Sequence, residues 1–392
     1  MKLHSATAED VRSGKVTDVY FRRTREILEA ADLNPRVRAE FVAKSLPAGW
    51  DWAVFAGLEE ALELAADLGV DVRAMPEGTL FGPLEPVMEV AGPYRAFCEY
   101  ETALLGMICQ ASGVATGAAR CRRAAGDRPV VSFGARRLHP SVAPVVERAA
   151  FVGGCDGVAT VAGAELIGEE PQGTIPHALV LVLGDTVEAT RAFHEVIDPS
   201  VPRVSLIDTF HDEKFEAVAV AEELGEALDS VRLDTPSTRR GDFRRLLEEV
   251  RWELDVRGHT DVDLFVSGGI DEEEILRLNG VADGYGVGGA ISAAPIVDFS
   301  MDIVEIEGEA AGKRGKWSGA KQVFRCRECG ARRIGTFRSD PPSCEACGGE
   351  TERMVTLRVE GGERVEAAPS PRTLRDRVLE GLEALEPAEA GP

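Results

Sequence analysis

The chain has 392 residues, 44% of them hydrophobic, enough for two or three domains with a sizeable core. Its 67 acidic residues outnumber 44 basic ones, for a formal net charge of −23, and only 7 of the bases are lysine. Such a surface repels polyanions, which argues against nucleic-acid binding, and it fits a halophilic proteome in which salt screens the self-repulsion. The start MKLHSATAED is polar and the longest apolar run, 178–183, is far too short for a bilayer, so a cytoplasmic protein without a membrane span is expected.

Residues 17–28 (TDVYFRRTREIL) form a short arginine-rich segment leading into a helical pattern. The stretch 59–68 (EEALELAADL) reads as an amphipathic helix stopped by Gly69. Between 70 and 92 short apolar pieces broken by Gly and Pro predict a small β unit with tight turns, and 95–123 returns to a long helix rich in Ala and Leu. These segments define an N-terminal α/β domain, 1–127.

From 128 to 298 the pattern becomes regular. Strand candidates fall at PVVSF, GVATV, HALVLVL, RVSLI, SVRL, DLFVS and GYGV, with helices expected at 187–196, 214–224, 242–256 and 272–278. Seven strand candidates alternating with helices approach a repeated βα unit. The glycine-rich GxGxxG turn of a doubly wound sheet is missing after the first strand, so an irregular, incomplete TIM-like barrel is preferred. After it, 299–392 holds a strand (MDIVEIEG), the basic stretch AGKRGKWSGAKQVFRC, two cysteine pairs and a last helix (TLRDRVLEGLEAL) before a frayed end.

Cys98, Cys109, Cys121 and Cys155 are scattered and read as buried free thiols. Cys326-x-x-Cys329 and Cys344-x-x-Cys347 are different: fourteen residues separate the pairs, and each is followed by glycine. Four thiolates at this spacing match a closed, tetrahedral structural Zn²⁺ site in a small domain at 326–347. The competing explanations are two unrelated CxxC pairs or redox cysteines.

In a barrel the active site lies where the strands end. Those ends read Phe133-Gly-Ala-Arg136-Arg137, Thr160, Asp208, Arg232 with Asp234, Ser267-Gly268-Gly269 and Gly288-Gly289. Each has a plainer explanation: Gly-Gly as a turn, Asp208 as a helix cap, Arg136 and Arg137 as surface. Together they offer cations, acids and bare backbone N–H groups on one face, the requirements of a phosphorylated sugar.

The motifs SFGARRLHP, GTIPHAL, LIDTFHDE, VRLDTPSTRRGD, FVSGGI and GYGVGGA occur in the order seen in nicotinate phosphoribosyltransferases, which the chain resembles from about 17 to 321. The cysteine pairs and the KRGKWSGAK segment before them resemble the archaeal branch of that family. The resemblance implies a type II phosphoribosyltransferase joining nicotinate to 5-phosphoribosyl-1-pyrophosphate with Mg²⁺, in a homodimer or larger assembly whose active sites are shared. It further implies that Phe133 stacks on the pyridine ring and Tyr20 covers its other face from the partner subunit. Arg136 would hold a carboxylate or phosphate; Asp208, Asp234 and Arg232 would meet the ribose or its metal. Thr160 and Ser267 would line the site, and Gly268, Gly269, Gly288 and Gly289 would cradle the 5′-phosphate. His177 matches the histidine that relatives phosphorylate with ATP, although a histidine beside an apolar strand is also an ordinary core residue.

Two departures bear on the substrate. Relatives that take nicotinamide carry an aspartate where this chain has Ala159, and its absence favours a carboxylate substrate. Thr235-Pro236 replaces the more usual Ser-Gly after Asp234. The rival readings are a decarboxylating quinolinate phosphoribosyltransferase and a non-catalytic zinc-ribbon binding protein.

Overall fold

The computed structural model describes residues 3–385; the frayed end expected after the last helix lies outside them. The chain divides into two compact units, one taking the chain up to Thr116 together with Pro295–Leu385, the other formed by Gly117–Ala294.

The first unit is built on a seven-stranded sheet in the order Glu309–Ala310, Phe299–Ile306, Arg36–Ala43, Pro86–Pro93, Asp71–Ala74, Thr356–Glu360 and Glu363–Arg364. The C-terminal segment thus supplies the flanking strands on both sides of a sheet begun near the N-terminus. The amphipathic helix Leu58–Asp67 buries Leu58, Ala61, Leu62, Leu64 and Ala65 in the core of this unit. The same core carries a cluster of Phe55, Phe81 and Phe299 with ring centroids 5.5–6.5 Å apart. The region 70–92 forms the expected short strands, Asp71–Ala74, Leu80–Phe81 and Pro86–Pro93.

One row of this sheet explains the basic stretch before the cysteines. Glu40 lies opposite Glu89 on one side and Asp302 on the other, all three buried. Like charges facing each other across strands repel, more so when desolvated. Each has its own cation. Lys321 reaches Glu40 at 2.9 Å, Lys313 and Lys316 reach Asp302 at 2.5 and 2.7 Å, and Arg38 and Arg73 bond Glu89. Three of the seven lysines in a lysine-poor chain are committed to two buried acids.

The second unit holds a six-stranded sheet in the order Gly157–Val158, Val130–Ser132, Gly284–Val287, Asp263–Val266, Ser230–Leu233 and Val204–Leu206. Every pairing is parallel, and the edge strands do not pair with each other, so the sheet is an open half-barrel. Six of the seven strand candidates are strands. HALVLVL is instead the helix His177–Leu183, ended by Gly184 in the left-handed region. A short, continuous apolar run carries no period that separates strand from helix. Its environment decides: Pro176 caps the segment, only Val180 of the helix is buried, and Leu181 and Val182 are exposed. Helices Thr186–Val196, Glu213–Leu224, Phe243–Asp255 and Glu272–Leu278 fall where the periodicity puts them.

The helical stretch Tyr94–Ala125 is long and apolar enough to cross a membrane by composition alone, but 72% of its apolar window is buried, as in a core helix.

Candidate active site

Because the strands are parallel, the residues just past their carboxyl ends collect on one rim. Phe133 follows Val130–Ser132, Thr160 lies two residues past Gly157–Val158, and Asp208 lies two past Val204–Leu206. Asp234, Ser267 and Gly288 each come directly after their strands. Arg232 lies inside its strand rather than past it, paired in register with Phe265 and Leu206.

The centre of the rim is a cluster of charge. The Asp208 side chain is 1% exposed, and among the described residues neither of its oxygens has a hydrogen-bond donor. Burial, reinforced by Asp234, pushes its carboxyl up to about 6, against the pull of His177 and Arg232. The His177 ring presents Nε2 to both acids, 3.8 Å from Asp208 Oδ1 and 3.7 Å from Asp234 Oδ2, while Nδ1 lies 3.1 Å from the Thr209 hydroxyl. His177 therefore stands at the start of a helix, facing two carboxylates. Arg232 Nη2 is 3.9 Å from Asp234, and its Nε is buried without a partner among the described residues. Burial holds that guanidinium below its ordinary value, and Arg136 adds like-charge repulsion.

An aromatic wall stands beside this cluster. The Arg232 guanidinium lies 5.8 Å from the Phe133 ring centroid, and Phe133 lies 6.0 Å from Phe265. Phe133 occupies the space over Gly286, where a Cβ would come within 2.4 Å of the ring. Any larger residue at 286 would move the wall.

The glycine loops hold close approaches. Gly268 has φ +85°, and a Cβ there would meet Asp234 Oδ1 at 2.9 Å; the Ser267 hydroxyl donates to that same oxygen at 2.9 Å. Gly269 has open space beside it, as does Gly289, which begins the short helix Gly289–Ser292. The Gly268 carbonyl accepts from Arg240 at 2.9 Å, which ties the loop to the 235–241 segment.

Thr160 caps the helix Val161–Ile167 by accepting from Gly163 N–H. Its hydroxyl and N–H both bond Glu147, which also accepts Ala159 N–H at 3.0 Å. Arg136 is exposed on a single 3₁₀ turn, Ala135–Arg137, and has no ion pair among the described residues. Tyr20 belongs to the other unit, where it is 55% exposed and its hydroxyl lies 3.5 Å from Asp18.

Sequence reasoning missed Thr209, Glu147, Glu213, Glu216 and Arg240. A glutamate in the first turn of a helix, where Glu213 and Glu216 sit, is commonplace. Nothing in the sequence distinguishes one that bonds a neighbouring loop.

The four paired cysteines come together in the first unit, with their sulfurs within 4.8 Å of one another. They sit at the tip of a three-stranded sheet, Arg332–Thr336, Lys321–Cys326 and Thr351–Arg353. The two halves repeat one turn. Cys326 N–H bonds Ala331 O and Gly330 N–H bonds Cys326 O; Cys344 N–H bonds Gly349 O and Gly348 N–H bonds Cys344 O. Sγ–Sγ separations of 3.4–3.6 Å approach the about 3.8 Å edge of a tetrahedron with Zn–S bonds of about 2.3 Å. The cluster fits a metal ion.

An open parallel α/β half-barrel with a buried acid, a partly exposed one, an arginine and an aromatic wall on its carboxyl rim is a candidate ligand site of the kind that α/β-barrel enzymes place there. Family models for the quinolinate phosphoribosyl transferase N-terminal and C-terminal domains match residues 18–112 and 114–302. The chain is 30% identical over 332 residues to the nicotinate phosphoribosyltransferase pncB1 of Mycobacterium tuberculosis, covering 80% of this chain and 72% of that protein. It is 34% identical over 273 residues to pncB2 of the same organism, spanning 66% of this chain but only 58% of the relative's length. A structure of nicotinate-nucleotide pyrophosphorylase from Pyrococcus furiosus superposes with a TM-score of 0.96 at 50% identity, over 98% of this chain and 100% of that one. Human nicotinic acid phosphoribosyltransferase shares the fold, at a TM-score of 0.73 and 21% identity, over 95% and 94% of the two chains. The chain belongs to the phosphoribosyltransferase family built from these two domains.

Proposed function

We propose that the protein joins nicotinate to 5-phosphoribosyl-1-pyrophosphate, giving nicotinate mononucleotide and pyrophosphate. The observation that carries this reading is the convergence of Asp208, Asp234, Arg232 and His177 beside the Phe133 ring. Breaking the C1–O bond leaves positive charge on the ribose and negative charge on the departing pyrophosphate. A site for that reaction needs acids near the sugar, cations near the phosphates and a flat clamp for the ring. Asp234, held by Ser267, serves the ribose; Arg232 and Arg136 serve the anionic groups; Phe133 stacks on the pyridine. Gly268, Gly269, Gly288 and Gly289 leave backbone uncovered for the 5′-phosphate.

The donor-free oxygens of Asp208, beside Asp234, are suited to Mg²⁺, a hard cation that takes oxygen ligands. When bound, Mg²⁺ would neutralise charge on the pyrophosphate. His177 Nε2 faces the same subsite and is the candidate for phosphorylation by ATP, with ADP released and the phosphohistidine hydrolysed in each cycle. Tyr20 acts from the partner subunit of a homodimer, and Zn²⁺ in the cysteine cluster has a structural role.

The names of the family models favour a second reading, quinolinate as substrate with loss of CO₂. Quinolinate brings a second carboxylate, which needs a second cation at the ring. Arg232 and Arg136 are both already assigned to the phosphates and the single carboxylate, so neither is left for a second one, which supports the monocarboxylate. Incubation with labelled nicotinate or quinolinate, sugar pyrophosphate and Mg²⁺ separates the two by product and by CO₂ release.

A further inference from the structure

The first turn of the helix Glu213–Leu224 touches both loops that carry the rim acids. Glu216 is 3% exposed; its Oε1 accepts the backbone N–H groups of Phe210 and His211 at 3.0 and 2.8 Å, and its Oε2 accepts the Thr186 hydroxyl at 2.9 Å. Phe210 and His211 are the second and third residues after Asp208. Glu213, one turn earlier on the helix, accepts the Thr235 hydroxyl at 2.7 Å, and Thr235 directly follows Asp234. Thr235 is itself buried.

We propose that Glu213 and Glu216 are positioning residues, a two-point bracket on one helix that sets the separation of Asp208 and Asp234. The proposal rests on the reading of this rim as the sugar-pyrophosphate site. Two carboxylates facing the same imidazole nitrogen, one of them 1% exposed, repel each other, and that repulsion favours separating their loops. Clamping each carboxylate with its own donors would hold them, but would also occupy the atoms a ligand needs. The bracket works on the backbone and on a neighbouring threonine instead. Both Asp208 oxygens stay free, and only Asp234 Oδ1 is bonded, by Ser267. The same restraint fixes Thr209, whose hydroxyl meets His177 Nδ1 and so holds Nε2 toward the acids. An acid serving only the helix dipole would be exposed and without fixed partners; Glu216 is neither. The Pro236 half of the departure has a reason here: proline restricts a loop that glycine would free, while the hydroxyl that Glu213 grips is one serine would also supply.

The test is a double-mutant cycle on the Glu213–Thr235 contact, with Glu213→Ala, Thr235→Val and the double variant, and Glu213→Gln as rescue. Affinity for Mg²⁺-bound 5-phosphoribosyl-1-pyrophosphate is measured by calorimetry, KM for nicotinate by assay, and Tm by calorimetric scan. Each single change should weaken sugar-pyrophosphate binding about tenfold, the double change no further, and Glu213→Gln should recover most of the loss. KM for nicotinate and Tm should stay close to wild type, which a general packing defect would not allow. Glu216→Gln should keep its backbone acceptor and bind within about threefold of wild type, while Glu216→Ala should not. Wild-type affinity in Glu213→Ala and Thr235→Val, or effects that simply add, overturns the bracket. A wild-type protein that binds sugar pyrophosphate but makes no nicotinate mononucleotide leaves the bracket testable and removes only the nicotinate reading. One that does not bind it at all overturns both.

Discussion

The strand-end rim and the cysteine ribbon are both made of turns, yet they treat their polar groups in opposite ways. In the ribbon the turn backbone is paired within two repeated knuckles, and the four thiols converge on one point. At the rim Asp208 is buried with no donor, the Nε of Arg232 has no acceptor, and two acids crowd one imidazole. Buried polar groups without partners are costly and rare, so a concentration of them marks a place where something else completes the set. The ribbon is organised for holding a metal and a shape. The rim leaves buried polar groups that a ligand would complete, at a cost to stability.

The sharpest break of that contrast is Asp208→Asn. The folded carboxyl titrates near about 6 against the ordinary 3.8, so this group favours folding most when protonated. Its contribution is complete at pH below about 4 and is lost as the pH rises through about 6. Removing the charge should therefore raise stability at about pH 7.5 by ~1–3 kcal/mol, with the gain shrinking toward about pH 4, while turnover falls at least about a hundredfold. Denaturant melts at both pH values and an initial-rate assay read this out. A variant destabilised at neutral pH contradicts the picture of a rim held under charge strain.

Cys344→Ser should do the reverse. Metal content should fall to zero and Tm by more than about 10 °C, whereas the rate per folded molecule at low temperature changes little. An isolated native protein without bound metal, or a Tm indifferent to chelation, ends the structural-metal account.

A smaller effect is expected from mixing two inactive chains, Tyr20→Ala and Asp234→Ala. If Tyr20 completes the partner's site, subunit exchange should restore up to about a quarter of the activity, since one of the two sites in half of the dimers carries neither change. Confirmed exchange with no recovery leaves Tyr20 without a role in trans. The smallest effect sharpens the choice of substrate: Ala159→Asp should raise KM for nicotinate about tenfold by charge repulsion, with sugar-pyrophosphate affinity kept. An unchanged KM would place the carboxylate away from the Ala159 loop.

What could be seen in the sequence follows from how local each signal is. The cysteine pairs were legible because two short spacings and their glycines specify a turn without reference to the rest of the chain. Helix Glu272–Leu278 and the strands ending at Ser132 and Val266 were legible because their pattern and the glycines near their ends agree. HALVLVL was not, because seven apolar residues suit either conformation and only Pro176 and the exposed flank of the folded helix decide. The contribution of 299–306 and 356–360 to the sheet of the first unit depends on pairings nearly 300 residues apart, as between Thr356 and Ala74. Of the candidate site, the rim acids could be read from their strand ends. Glu147, Glu213 and Glu216 could not, since their partners are backbone groups and hydroxyls that no spacing announces.

The proposed reaction transfers a phosphoribosyl group to nicotinate at the rim. Purified protein given carboxyl-labelled nicotinate, 5-phosphoribosyl-1-pyrophosphate and Mg²⁺ should form nicotinate mononucleotide and pyrophosphate in equal amounts, faster with ATP, with ADP appearing alongside. The same mixture with labelled quinolinate should release no CO₂. Mononucleotide made from quinolinate with stoichiometric CO₂, and none made from nicotinate, would contradict the account.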